Sequence, residues 1–242
     1  MAAPSQDAAR VRIVSWNIHG SVGTDRRCDP DRILRHVEAM APDILALQEV
    51  DGRTHFGRHP YAFEYFAEAL GPHIVEARLV GRPGRAYGHL LWSRWPVLES
   101  TLRLLPDARF EQRGLIEAIV ATPGGAMRVL STHFGLWPGA RRRQANILAQ
   151  RLDADGLATV ALGDFNEWRS AGVVHRTVSA LLPVAALLPT WPARRPFVPM
   201  DRLYASPDIA LLKVSVATAA ADASDHLPLV VDIAIRSRRQ SD

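Results

Sequence analysis

Apolar runs of strand length recur through this 242-residue chain, and residues able to do chemistry sit at their ends. Val14-Ser15-Trp16-Asn17 closes on an amide, Leu45-Ala46-Leu47-Gln48-Glu49 on a carboxylate, and Val129-Leu130-Ser131-Thr132-His133 on an imidazole. The run that begins at Val160 closes on Asp164 and Asn166, Met200-Asp201 opens a run with a carboxylate, and Ser224-Asp225-His226 precedes the last run. Short buried strands are not stable alone; they must pair into sheets whose apolar faces are covered. The pattern predicts strands over 11–18, 43–50, 73–80, 87–94, 97–105, 115–122, 127–134, 159–165, 203–205, 210–217 and 227–235. Turn signals such as Arg82-Pro83-Gly84 and Pro123-Gly124-Gly125 separate several of them.

Helices fall between some of these runs. Asp29 offers an N-cap with Pro30 at N1, and Ile33, Leu34, Val37 and Met40 follow at helical spacing until Pro42. Further helices are predicted over 60–70, 138–153 and 171–182; the second of these carries Ala145, Leu148 and Leu152 on one face. Residues 189–199 form a proline-rich loop holding Trp191, Arg194, Arg195 and Phe197. Two sheets packed face to face with helices outside account for this mixture. No internal repeat, linker or shift of composition is evident, so one domain over 1–242 is expected, with 1–10 and 236–242 frayed.

Composition narrows the function. Apolar residues make up 48% of the chain, enough for a sizeable core. The formal charge of +4 is too small to establish nucleic-acid binding. Lys213 is the only lysine among 29 basic residues. An arginine bias suits phosphate recognition through the planar guanidinium fork, although a compositional habit of the genome is the simpler account. Cys28 is alone, which excludes an intrachain disulfide and a Cys-rich metal site. There is no apolar leader segment and no apolar stretch of about 18 residues, so a cytoplasmic protein without a transmembrane helix is expected.

Taken singly, each strand-end residue has an ordinary explanation. Glu49 suits a solvated strand end, Asn17 and Asn166 suit turns, and His133 suits a satisfied, half-buried histidine. As a set they make an oxygen-rich metal kit beside an acid/base pair. Side chains at i and i+2 of a strand share a face, so Asp164 and Asn166 point into one site while Phe165 turns to the core. Other motifs fail. The stretch from Gly81 to Gly88 lacks the Lys-Ser/Thr of a P-loop and reads as a hairpin loop. His55 and His59 are four apart, but Gly57 and Pro60 spoil a zinc-binding helix.

The blocks Ser15-Trp16-Asn17, Leu47-Gln48-Glu49-Val50, Ser131-Thr132-His133, Gly163-Asp164-Phe165-Asn166, Asp201-Arg202-Leu203 and Ser224-Asp225-His226-Leu227-Pro228 occur in this order across nearly the whole chain. Tyr87-Gly88 to Ser93-Arg94, Arg113-Gly114-Leu115, the pair Arg141 and Gln144, and Pro189-Thr190-Trp191-Pro192 support them. Together they resemble the endonuclease/exonuclease/phosphatase superfamily. The resemblance implies a four-layer α/β/β/α sandwich, two packed mixed sheets flanked by helices, with the site at one edge of the sheets. It implies Glu49, Asn17 and Asp225 as the metal residues, for Mg²⁺ or Mn²⁺. It implies Asp164 as the residue that orients or deprotonates water, Asn166 as a phosphate and water positioner, and His133 as a donor to a non-bridging oxygen. His226 then faces phosphorus and is oriented by Asp201. Either Asp164 or His226 is left as the group that activates water. Many relatives carry asparagine where this chain has His89.

The expected activity is divalent-metal-dependent phosphoester hydrolysis, on a lipid-derived or small organic phosphodiester. Trp137, Trp191 and Phe197 suit a lipid interface or headgroup, so peripheral membrane contact is one expected interaction of a monomeric enzyme. A nuclease is the alternative, from Arg141, Arg142, Arg143, Arg194 and Arg195 beside aromatic residues. A non-catalytic phosphate-binding module on the same fold is the third reading.

Overall fold

The computed structural model describes residues 9–106, 111–152 and 156–235. The first half of the chain runs β1 (Arg10–Asn17), α1 (Pro30–Met40), β2 (Ile44–Asp51), α2 (Ala62–Leu70), β3 (Ile74–Val80) and β4 (Tyr87–Ser93). It continues as β5 (Val97–Leu105), β6 (Arg113–Thr122), β7 (Gly125–His133), α3 (Pro138–Gln150), β8 (Ala158–Asp164), α4 (Val173–Ser179), β9 (Val184–Ala186) and β10 (Asp201–Ala205). β11 (Ile209–Val216) and β12 (Leu229–Ile235) close it.

Two six-stranded sheets result, in the orders β11-β12-β1-β2-β4-β3 and β5-β6-β7-β8-β10-β9. Each has one parallel pair at its centre, β1 with β2 and β7 with β8, and every other pairing is antiparallel. A parallel pair needs a crossover, and α1 and α3 supply it. The two sheets therefore repeat one topology: two antiparallel strands, then β-α-β-α-β-β. Nothing in the sequence announces this repeat, because the halves share connectivity and not residues.

The inner faces pack on each other through Val11, Ile13, Ile44, Leu91, Val129 and Leu162. Trp16, Leu45, Leu47, Phe63 and Phe66 fill the layer under α1 and α2. Leu130, Phe134, Ala145, Leu148, Phe165 and Tyr204 fill the layer under α3 and α4. This is the four-layer sandwich the sequence led us to expect. Asp29 caps α1 by accepting the Arg32 N–H at 2.9 Å, and Ala41 stops it in a left-handed conformation (φ +46°), one residue before Pro42. The last helix is shorter than expected, 173–179 rather than 171–182. Arg10, read as part of a frayed end, already pairs with Ala234; of the rest, 1–8 and 236–242 lie outside the described residues, as does Asp153. The loop after Gly81 does connect a hairpin, β3 with β4.

Candidate active site

Along the inner faces, apolar residues give way to polar ones toward one end of each central strand. Val11 and Ile13 are followed by Ser15 and Asn17, Ile44 and Ala46 by Gln48, Met127 and Val129 by Ser131 and His133, and Val160 and Leu162 by Asp164. On β10 the order reverses with strand direction, so Asp201 leads into Leu203 and Ala205. The strand period of two thus brings residues from both sheets to one mouth.

Glu49 reaches this mouth by a different device. Leu45, Leu47 and Val50 face outward, and simple alternation places residue 49 with them. The β2–β4 register shifts between Gln48 and Val50, and Glu49 is the extra residue, at φ +57°. A bulge re-aims a side chain at the cost of left-handed strain, a familiar arrangement beside functional sites. Asn166, at φ +51°, turns the chain after β8 in the same way; its N–H donates to Asp164 Oδ1 at 2.8 Å and its amide to the Phe134 carbonyl at 3.0 Å.

Asn17 is the centre of the cluster. Its Nδ2 donates to Glu49 Oε1 at 2.9 Å and to Asp164 Oδ2 at 3.0 Å, and its Oδ1 accepts the His19 N–H at 3.0 Å. His133 Nε2 lies 3.5 Å from Asp164 Oδ2 and 3.9 Å from Glu49 Oε1. His226 Nε2 lies 3.9 Å from the same Asp164 oxygen, and its Nδ1 is 2.8 Å from Asp201 Oδ2. Asp225 stands apart from these contacts, 3.5 Å from His19 Nδ1 at the rim and about half exposed. The structure thus brings together Asn17, Glu49, His133, Asp164, Asn166, Asp201 and His226, and sets Asp225 beside His19.

The two imidazoles are prepared oppositely. Arg113 Nη1 sits 3.0 Å from His133 Nδ1 and also donates to the Tyr87 hydroxyl at 2.9 Å. A guanidinium can only donate, so His133 Nδ1 accepts and the ring proton resides on Nε2, facing the site. Burial, then the Arg113 charge, holds His133 well below the ordinary histidine range, so it is a neutral donor. At His226 burial also opposes charge, but Asp201 outweighs it, with help from Asp164 and Asp225, and the pKa rises to about 10. Burial raises Asp164 to about 6, with the His226 charge pulling the other way. His89 is fully buried under the cluster and held down to about 3, mainly by burial, so its ring is neutral.

Arg113, Tyr87 and His19 take part in ways their sequence neighbourhoods do not reveal; Arg113 and Tyr87 entered the resemblance only as supporting matches. The pair Arg141 and Gln144 anchors the loop after His133. Gln144 accepts the Gly135 N–H at 2.8 Å and donates to the Pro106 carbonyl at 2.9 Å, and Arg141 donates to the Leu136 carbonyl.

Oxygen donors dominate the Glu49 side of the mouth. Glu49 is three-quarters buried, with the Asn17 amide at 2.9 Å and the His133 ring at 3.9 Å. Among the described residues no group of three or more His, Cys, Asp or Glu converges as a metal cage. One carboxylate, an amide and water is a donor set that fits Mg²⁺, which keeps several waters and takes one or two carboxylates.

A sandwich of two repeated sheets with carboxylates, amides and two histidines at the shared mouth defines a class of phosphoester hydrolases. The model of the endonuclease/exonuclease/phosphatase family matches residues 14–226, and the chain belongs to that family. It is similar to the endonuclease/exonuclease/phosphatase of Beutenbergia cavernae DSM 12333, at 25% identity and TM-score 0.76 over 94% of this chain and 72% of that one. The human Nocturnin catalytic domain with bound sulfate shares the fold at 20% identity and TM-score 0.72, over 93% of this chain and 94% of that one. A Bacteroides thetaiotaomicron VPI-5482 mannosyl-6-phosphatase does so at 16% identity and TM-score 0.68, over 93% and 100%. No curated protein matches the sequence. Among the described residues no helix is long and apolar enough to cross a membrane.

Proposed function

We propose that this chain is a divalent-metal-dependent phosphodiesterase, using Mg²⁺ or Mn²⁺. The observation that carries the proposal is the single oxygen Asp164 Oδ2, shared by Asn17, a neutral His133 and a charged His226 within 3.9 Å. A bound divalent ion supplies charge neutralisation at the phosphoryl group, which otherwise repels an anionic nucleophile. Glu49 and Asn17 are the residues to hold it, with Asp225 at its rim.

Asp164 is the acceptor for the water proton. His226 is committed to Asp201 through Nδ1 and carries its own proton on Nε2, so it has no lone pair to offer; its charge instead faces the phosphoryl oxygens. His133 donates its Nε2–H to a non-bridging oxygen, and Asn166 positions water and phosphate. The compact chain suits a small organic or lipid-derived diester. A nuclease is the second reading, favoured by exposed Arg194 and Arg195 beside Trp191 and Phe197.

The test is a screen of purified protein with Mg²⁺ and Mn²⁺ against a chromogenic diester, a phosphomonoester, DNA, RNA and phospholipid. Hydrolysis of a diester that vanishes in chelator is the expected result, and Glu49→Gln raises the metal concentration required. Full activity in excess chelator refutes the metal role. No turnover under any condition, with phosphate ester still bound, supports the non-catalytic module.

A further inference from the structure

Three aromatic side chains beside the site take no part in the chemistry described above. Trp168 and Phe197 are 55% and 65% exposed, and half-buried Trp191 stands between them. Trp168 meets Trp191 edge to face at 5.1 Å between centroids, and Trp191 meets Phe197 at 6.2 Å and 56°. Exposure of this kind costs solvation and calls for a reason when residues cluster.

The cluster is built rigidly and tied to the site. Trp168 follows Asn166 by two residues, and the buried Arg202 guanidinium donates to the carbonyls on either side of it, Glu167 and Arg169. The loop carrying Trp191 is bound to the segment of His226: the Ala193 N–H donates to the Asp225 carbonyl at 2.7 Å, and the Leu227 N–H to the Thr190 carbonyl at 2.8 Å. Thr190 Oγ1 accepts the Asp201 N–H at 3.2 Å. Whatever rests on these rings is held in register with Asp201 and His226.

We infer that this ledge is a base-stacking subsite, so that the diester cleaved here is a nucleotidyl one. The inference rests on the phosphodiesterase reading and chooses between its two substrate classes. Edge-to-face packing leaves ring faces open for a planar partner. Arg169, Arg194 and Arg195 are exposed around the ledge, which suits phosphates flanking a base. The apolar area this loop could offer a bilayer is small: its other apolar residues, Ala193 and Val198, are buried. A free dinucleotide and a single-stranded nucleic acid present the same chemistry, a base beside a phosphate.

The test uses quenching of tryptophan fluorescence by the full chain in chelator, so that binding is read without turnover. The probes are thymidylyl-thymidine, a ten-residue oligothymidylate and vesicles of phosphatidylglycerol with phosphatidylcholine. Both thymidine probes are expected to quench. Trp168→Ala and Phe197→Ala each weaken binding about tenfold, the scale of losing one base–aromatic stack. Trp168→Phe restores most of it. Tighter binding of the decamer that falls with salt, and loses that dependence in Arg194→Ala/Arg195→Ala, assigns the ledge to a strand; equal binding of the two assigns it to a free dinucleotide. Binding of vesicles but not of either thymidine probe overturns the inference, as does quenching unchanged by both alanine variants. Thymidine binding that persists while no diester is hydrolysed with either metal leaves the subsite standing and refutes the catalytic reading.

Discussion

Replacing Arg202 is expected to be the most damaging single change outside the reacting groups. The side chain is fully buried, and its acceptors are neutral: the Pro199 carbonyl at 2.8 Å, the Arg169 carbonyl at 3.1 Å, the Glu167 carbonyl and the Tyr204 hydroxyl at 3.4 Å. Buried ion pairs are often replaced by apolar residues at no loss, because both partners leave together. Here Arg202→Met removes the donor and leaves three backbone carbonyls behind. Each stranded carbonyl costs about 1–3 kcal/mol, and taking the low end for partly accessible ones gives a loss of about 3–5 kcal/mol. For a chain of this size that lowers Tm by on the order of 10 °C. Arg202→Lys falls in between, since an ammonium is a point donor and cannot span carbonyls on two segments. Urea denaturation checks the magnitude through the midpoint, with the m value unchanged. The ledge should loosen too, so the ratio of kcat/KM for a nucleotidyl diester over a glycerophosphodiester should fall in the folded protein. A midpoint for Arg202→Met equal to the parent's refutes the reasoning.

Four further outcomes are expected. His226→Ala and Asp164→Asn each lower kcat by about 10²-fold or more. Asp201→Asn is milder, and the double variant with His226→Ala is little worse than His226→Ala alone. Because burial raises Asp164, its ionised form weakens the metal-free fold as pH rises through about 6, so Asp164→Asn should melt at or above the parent temperature at pH 8. Arg113→Met releases His133 from its fixed tautomer: nitrogen-15 histidine spectra should change from a pure Nε2–H ring to a mixture, with kcat down about tenfold, and an unchanged spectrum sinks that role. Asp232 is held below the usual carboxylate range by the Arg12 hydrogen bond at 2.8 Å, with Arg10 assisting. Its contribution is therefore complete above pH ~4 and lost as pH falls through the folded value, so Asp232→Asn should flatten the acid limb of a stability–pH curve.

The mouth was legible because these strands turn from apolar to polar at one end, as at Asn17, His133 and Asp164, and the period of two then fixes the face. Glu49 was legible by type but not by direction, since alternation alone sends it outward and only the bulge opposite β4 corrects that. The strand β9, Val184–Ala186, escaped notice because three residues after Pro183 carry no periodicity; pairing with β10 makes it a strand. The tautomer of His133 depends on Arg113, 20 residues away, and contacts of that kind are settled by tertiary packing.

β12 lies between β11 and β1, so the first strand of the described chain finds that neighbour only when the last has been made. His226 lies three residues before β12, and the same late segment brings the Ala193 and Leu227 hydrogen bonds that fasten the aromatic loop. On the ribosome β1 must therefore wait with one edge open, while β2 to β10 are free to associate. A nascent chain ending before Ser224 lacks His226 as well as the strand that joins β11 to β1. Completion of the first sheet and assembly of the proposed site thus depend on the same stretch of chain.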